Sequence, residues 1–195
     1  MTKKLLIKNS FEKEKLKKDR YNTLIKKFNN TILEIKKEIK NKESFYYLLN
    51  RNYKFNFKIK DIKKIKNFKN IALIGMGGSI LGSEAIYNFL KKKIKKNFYF
   101  FDNIDYEKIQ EFSKKNNLRK TLILVISKSG NTIETLSNLF FLNIIKKNSK
   151  NVILISEKKN NFLYLLSKKY NLFYIEHNKN IGGRYSVFSE VGIIP

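Results

Sequence analysis

The chain has 195 residues, with no cysteine, one histidine (His177) and one proline (Pro195). These counts exclude disulfide frameworks, thiolate metal sites, cysteine nucleophiles and a histidine-rich metal centre. The net charge is +26, but only four of the 42 basic residues are arginines (Arg20, Arg51, Arg119, Arg184) and the 38 lysines run along the whole chain, a spread that argues against a dedicated nucleic-acid-binding face.

The first residues, Met1-Thr2-Lys3-Lys4-Leu5-Leu6-Ile7-Lys8, carry charge but no apolar segment of signal-peptide length. No apolar run reaches the ~18 residues of a membrane span, so a cytoplasmic protein without membrane attachment is expected. Residues 10–49 read as helical. Tyr21, Leu24, Ile25, Phe28, Ile32, Ile35 and Ile39 recur at spacings of three and four, between lysines and glutamates. This stripe is expected to pack on the core rather than to lie on a membrane surface. Residues 50–68 are mixed and carry no clear period.

From Asn70 the pattern changes. Ile71-Ala72-Leu73-Ile74 is a short apolar run that stops at Gly75 and reads as a buried strand. A helix is expected over 79–93, with Ile80, Leu81, Ala85, Ile86, Phe89 and Leu90 on one face. Strands follow at 98–101, 122–126, 152–155 and 172–175, and helices at 105–116, 132–147 and 160–169. Strands that alternate with helices, each strand a continuous apolar run, predict an α/β fold with a parallel sheet covered on both faces. Ligands of such sheets bind beyond the carboxyl ends of the strands, where the strand order switches direction.

Three turns carry the chemistry. The first is Gly75-Met76-Gly77-Gly78-Ser79-Ile80-Leu81-Gly82, after the first strand. Its glycines permit close backbone approach to a ligand at a helix N-terminus. A dinucleotide fingerprint would need a third glycine where Ile80 stands, so NAD is not expected. The second is Ser127-Lys128-Ser129-Gly130-Asn131-Thr132-Ile133-Glu134-Thr135, after the third strand. Hydroxyls at 127, 129 and 132 around a glycine, before a helix, suit a phosphate monoester. The plainer alternative is a helix cap, with Asn131 and Glu134 spaced as a capping box. A cap needs one or two of these residues, so phosphate binding is favoured. The third is Gly182-Gly183-Arg184-Tyr185-Ser186-Val187-Phe188-Ser189. An arginine among glycines and serines fits an anion clamp, and it fits a surface turn equally well. His177, in Glu176-His177-Asn178, reads as a solvated loop histidine.

Together and in this order, the three segments resemble the phosphoglucose isomerase family, that of the glucose-6-phosphate isomerases. The first looks like that family's Gly-x-Gly-Gly-Ser-x-x-Gly loop and the second like its Ser-Lys-Ser/Thr-x-x-Thr-x-Glu-Thr phosphate loop. The third looks like its Gly-Gly-Arg-x-Ser-x-x-Ser signature, continued by Val191-Gly192-Ile193-Ile194-Pro195. The resemblance covers about residues 68–195. It implies a three-layer α/β/α sandwich with a five-stranded parallel sheet, preceded by an N-terminal helical extension. The implied division is a helical region over 1–67, a first sugar-phosphate-binding (SIS) domain over 68–180, and a connecting segment over 181–195 without a second domain. It implies interconversion of glucose 6-phosphate and fructose 6-phosphate without metal or organic cofactor, in a protein that is typically dimeric. By matching position, Ser127, Lys128 (through its backbone), Ser129 and Thr132 would hold the substrate phosphate. Gly78 and Ser79 would line the same pocket, and Arg184 would stabilise the enediolate.

The family's proton-transferring glutamate, ring-opening histidine and C-terminal lysine lie beyond the arginine signature and have no matching position here. The chain is therefore expected to be truncated and to bind sugar phosphates with little or no turnover alone, since isomerisation needs a base at C1 and C2. Two other readings are a non-catalytic sugar-phosphate-sensing module, which needs no arginine signature, and a basic nucleic-acid-binding protein, which would show steep salt dependence.

Overall fold

The structure is a computed structural model describing residues 18–63 and 65–195. In chain order its regular elements are α1 (Lys18–Glu38), α2 (Ile59–Lys63), β1 (Asn70–Gly75), α3 (Leu81–Leu90), β2 (Asn97–Phe101), α4 (Tyr106–Lys115) and β3 (Thr121–Ile126). There follow α5 (Ile133–Phe141), β4 (Val152–Ser156), α6 (Phe162–Tyr170), β5 (Phe173–Glu176) and α7 (Glu190–Ile193). The five strands pair in parallel in the order β2-β1-β3-β4-β5.

The apolar runs are continuous because both faces of the sheet are covered. Alternate strand residues point to opposite faces. Ala72, Ile74, Ile123, Val125, Val152 and Leu154 pack on one side with Ile109 and Phe112 of α4, Leu139 of α5, and Leu163 and Leu166 of α6. Ile71, Leu73, Leu122, Leu124, Ile153 and Ile155 pack on the other side with Ile65, Ile80, Val191 and Ile194. On that second side Tyr87 of α3 lies 4.8 Å from Phe98 and 5.7 Å from Phe100, ring centre to ring centre. This is the three-layer α/β/α arrangement. Among the described residues no helix is long and apolar enough to cross a membrane.

Three sequence expectations are corrected. The helix read over 10–49 is α1, which ends at Glu38, with residues 10–17 outside the described residues, and it does not pack a face on the core. None of its residues 19–38 is buried, and Tyr21, Leu24, Ile25 and Phe28 are 40–61% exposed. Its periodicity is amphipathic, but the second face of the sheet is already filled by Ile65, Phe57, Ile62, Phe68 and α7.

The inward face of α3 also differs. A 3-10 turn over Gly77–Ser79 precedes it and shifts its phase. Ser83 is the buried position and donates to the Val191 carbonyl at 3.2 Å. Phe89 is 89% exposed, Leu81 is 55% exposed, and Ala85 is also exposed. Finally, the helix read over 132–147 stops at Phe141. Asn143 and Asn148 adopt left-handed backbone, with φ of +46° and +61°, a conformation asparagine tolerates better than most residues.

Candidate functional site

The strand order places the site. The chain goes from β1 outward to β2, then returns past β1 to β3, so the connections leaving β1 and β3 run to opposite sides. In such sheets the ligand crevice lies between the two connections, at the carboxyl ends of the strands. Gly75 and Ile126, the last residues of the two strands, are register partners. The first two sequence motifs therefore begin side by side.

The loop after β3 is a knot of hydroxyls. The Ser127 and Thr132 hydroxyl oxygens are 2.8 Å apart, Ser129 is 3.3 Å from Thr132, and Ser127 is 3.4 Å from Ser129. The Gly130 N–H donates to the Ser127 carbonyl at 3.0 Å and lies 3.1 Å from its hydroxyl, and the Asn131 N–H donates to Ser129 Oγ at 3.2 Å. Ser127 is buried, Thr132 half-buried and Ser129 exposed, so the cluster runs from the interior to the surface. Thr132 is the N-cap residue of α5, yet its side chain caps nothing. Nor does Asn131 serve the helix end, because its Oδ1 accepts from the Phe162 N–H at 2.8 Å. The capping-box alternative thus fails, and α5 presents an uncapped, positive end. Among the described residues the N–H groups of Lys128, Ser129 and Thr132 have no protein acceptor.

Asn161 fixes the loop from behind. Gly130 has φ +71°, and a Cβ there would stand 2.0 Å from Asn161 Oδ1. That oxygen accepts from the Tyr164 N–H at 3.0 Å, while the amide nitrogen donates to the Glu157 carbonyl at 2.7 Å. The Gly130 carbonyl accepts from the Leu163 N–H at 3.1 Å. Lys128 turns its side chain away, with Nζ 3.5 Å from Glu157 Oε1, and Lys159 lies 2.7 Å from the other oxygen. Burial pushes the Glu157 carboxyl up, but the hydrogen bond and charge of Lys159, with Lys128, outweigh it and hold the group below the usual carboxylate range.

The first and third motifs touch directly. A Cβ on Gly78 would lie 2.1 Å from the Gly183 carbonyl oxygen and 2.9 Å from the Arg184 nitrogen. Only a residue without a side chain lets the two backbones meet. The Ser186 hydroxyl lies 3.1 Å from the Gly78 carbonyl and 2.6 Å from that of Gly183. Ser79 is half-buried at the end of the first turn. Arg184 is exposed and, among the described residues, forms no ion pair. Its neighbour Tyr185 stacks on Phe45, with ring centres 4.7 Å apart. The arginine segment is thus packed against the glycine loop through its backbone, with Arg184 and Tyr185 themselves exposed.

His177 is not the solvated residue its loop suggested. It is 1% exposed, Nε2 lies 3.2 Å from the Ile181 carbonyl, and Nδ1 is buried without a partner. Burial pulls its pKa below the ordinary histidine value. Sequence reading missed Asn161, Tyr53 and Asn56. An Asn at a helix start was a legible signal for the first, whereas nothing local marks the contact of Glu190 with Tyr53 and Asn56.

A sequence model described as phosphoglucose isomerase matches residues 30–195. The "probable glucose-6-phosphate isomerase" of Methanococcus maripaludis is 39% identical over 189 residues, covering 89% of this chain and 42% of its own length. The glucose-6-phosphate isomerase of Borreliella afzelii is 40% identical over 141 residues, covering 66% of this chain and 26% of its own length. Among solved structures, a hypothetical protein from Thermus thermophilus matches with TM-score 0.63 and 27% identity, over 70% of this chain and 34% of that one. A glucose-6-phosphate isomerase from Chlamydia trachomatis matches with TM-score 0.56 and 25% identity, over 70% of this chain and 29% of that one. The chain spans less than half the length of each of these relatives.

Proposed function

The chain belongs to the phosphoglucose isomerase family, and from that premise we propose that its crevice binds glucose 6-phosphate and fructose 6-phosphate for aldose–ketose isomerisation. The observation that carries the reading is the uncapped end of α5, where three hydroxyls converge within 2.8–3.4 Å. In this reading the hydroxyls of Ser127, Ser129 and Thr132 and the N–H groups of Lys128, Ser129 and Thr132 hold the phosphate. Such donors on a positive helix end suit a dianion. Gly78 and Ser79 line the pocket.

Arg184 supplies the second function. As a proton moves between C1 and C2, negative charge develops on the enediolate oxygens. A positioned guanidinium without a carboxylate partner stabilises that charge more than it stabilises the neutral ground state. The transfer itself needs a base within reach of both carbons. Glu190 follows the arginine motif closely but is fully buried, so it does not supply the base. The described residues therefore contribute phosphate and oxyanion recognition.

Titration calorimetry with glucose 6-phosphate and with unphosphorylated glucose tests the phosphate part. Binding of the former alone is expected. A Ser129→Ala/Thr132→Ala double variant should lose roughly 10- to 100-fold in affinity, the effect of deleting two hydrogen bonds to a charged group. Unaltered affinity in that variant would refute the assignment.

A further inference from the structure

A fully buried carboxylate, Glu190, directly follows the Gly-Gly-Arg segment, and the proposed chemistry does not use it. Its exposure is 0%. Oε1 accepts from the Asn56 N–H at 2.9 Å and from the Tyr53 hydroxyl at 3.4 Å, while Oε2 is buried without a partner. The donors lie 134 and 137 positions away in the sequence, in a stretch without regular structure between a 3-10 turn (Phe45–Leu49) and α2. Asn56 is tied down in turn, its Nδ2 donating to the Glu176 carbonyl at 3.1 Å.

From Glu190 a short chain of contacts leads back to the arginine. Ser189, the preceding residue, donates its hydroxyl to the Ser186 carbonyl at 2.7 Å and accepts from the Val191 N–H at 3.3 Å. The Ser186 hydroxyl in turn reaches the carbonyls of Gly183 and Gly78. Gly192 closes against Val187, where a Cβ would stand 2.1 Å from the carbonyl oxygen. Gly183 and Tyr185 flank Arg184, and Phe45, in the 3-10 turn that precedes Tyr53 and Asn56, stacks on Tyr185. A buried acid held by one backbone N–H and one hydroxyl is a poor source of stability, since an apolar residue would fill the site without desolvating a polar group. Its use is geometric.

We propose that Glu190 is a positioning residue, pinning the arginine segment to Tyr53 and Asn56 and so setting where the Arg184 guanidinium meets the substrate. This rests on the reading of Arg184 as the group that stabilises charge at C1 and C2. The probe is 6-phosphogluconate, which carries the same phosphate as glucose 6-phosphate but a carboxylate at C1. The ratio of the two affinities reports on Arg184, and the phosphate loop cancels from it.

Both ligands are titrated into the 195-residue chain and its variants. The wild type is expected to prefer 6-phosphogluconate by roughly tenfold, the strength of one charge-assisted contact. Arg184→Ala and Glu190→Ala should each abolish the preference, and the double variant should lose no more than either single one, as expected of residues that act through one another. Glu190→Gln, which keeps an oxygen acceptor, should retain it. Preserved preference in Glu190→Ala, or additive losses, would overturn the proposal. Failure of the wild type to bind either ligand would show instead that the functional reading is wrong, and the inference would fall with it. Should Glu190→Ala not fold, native-state hydrogen exchange of the wild type decides. The Asn56 amide and the amides of 183–188 should open in one step, with equal protection that rises together when 6-phosphogluconate is added. Independent exchange of the two segments would overturn the proposal.

Discussion

Gly130 shows how much one residue constrains the proposed phosphate loop. Its φ of +71° strains any other residue, and an added Cβ would collide with Asn161 at 2.0 Å. Gly130→Ala should therefore destabilise the fold by about 2 kcal/mol or more, since backbone strain and overpacking act together, measured by urea unfolding. Glu190 makes a second residue-scale prediction, in pH. Burial pushes its carboxyl up, the Asn56 N–H and Tyr53 hydroxyl pull it down, and the Glu176 charge pushes it up again, with a net rise. A raised folded-state pKa means that its stabilising contribution is complete below the ordinary carboxylate value and is lost as pH rises through the folded value. The stability of wild type relative to Glu190→Gln should therefore fall as pH increases from about 4, and a pH-independent difference would contradict it. Ser127, Ser129, Thr132 and Arg184 were legible because their types cluster in short turns. Tyr53, Asn56 and Glu190 meet across 137 and 134 positions, which no local pattern records.

At the scale of elements, the strands were legible and the helix faces were not. A buried parallel strand leaves an unbroken apolar run, whatever it pairs with. A helix leaves only a phase, and phase is easily shifted. The 3-10 turn at Gly77–Ser79 rotates α3 so that Ser83 faces inward and Phe89 outward. The case of α1 is sharper, since its stripe is regular yet stays 40–61% exposed at Tyr21, Leu24, Ile25 and Phe28. Phe28→Ser in the isolated chain should change unfolding free energy by less than about 0.5 kcal/mol, as for a surface position. Leu139→Ala on α5, fully buried against the sheet, should cost about 3 kcal/mol. Equal losses in the two variants would mean that α1 packs on the core after all.

For the whole molecule the dominant quantity is the charge of +26. A field of that sign draws anions towards the crevice and is screened by salt. The affinity for glucose 6-phosphate should therefore weaken steadily as sodium chloride is raised, with most of the change in the association rate, as stopped-flow measurements would reveal. Salt-independent binding would place the affinity in local contacts alone. The lysines that carry this charge are dispersed along the chain.

The sequence by itself determined the α/β class, the five strands and the three turns proposed to carry chemistry. Those features depend on residues a few positions apart, through the alternation of a strand, the glycine of a turn and the hydroxyls before a helix. Only the tertiary structure decided the rest. The order β2-β1-β3-β4-β5 sets the turns of β1 and β3 side by side. Contact between Gly78 and Gly183 brings the arginine segment against the glycine loop. Glu190 finds its donors 134 and 137 residues away. Each of these depends on which of several competing surfaces is buried against which, and that competition is settled over the whole chain at once.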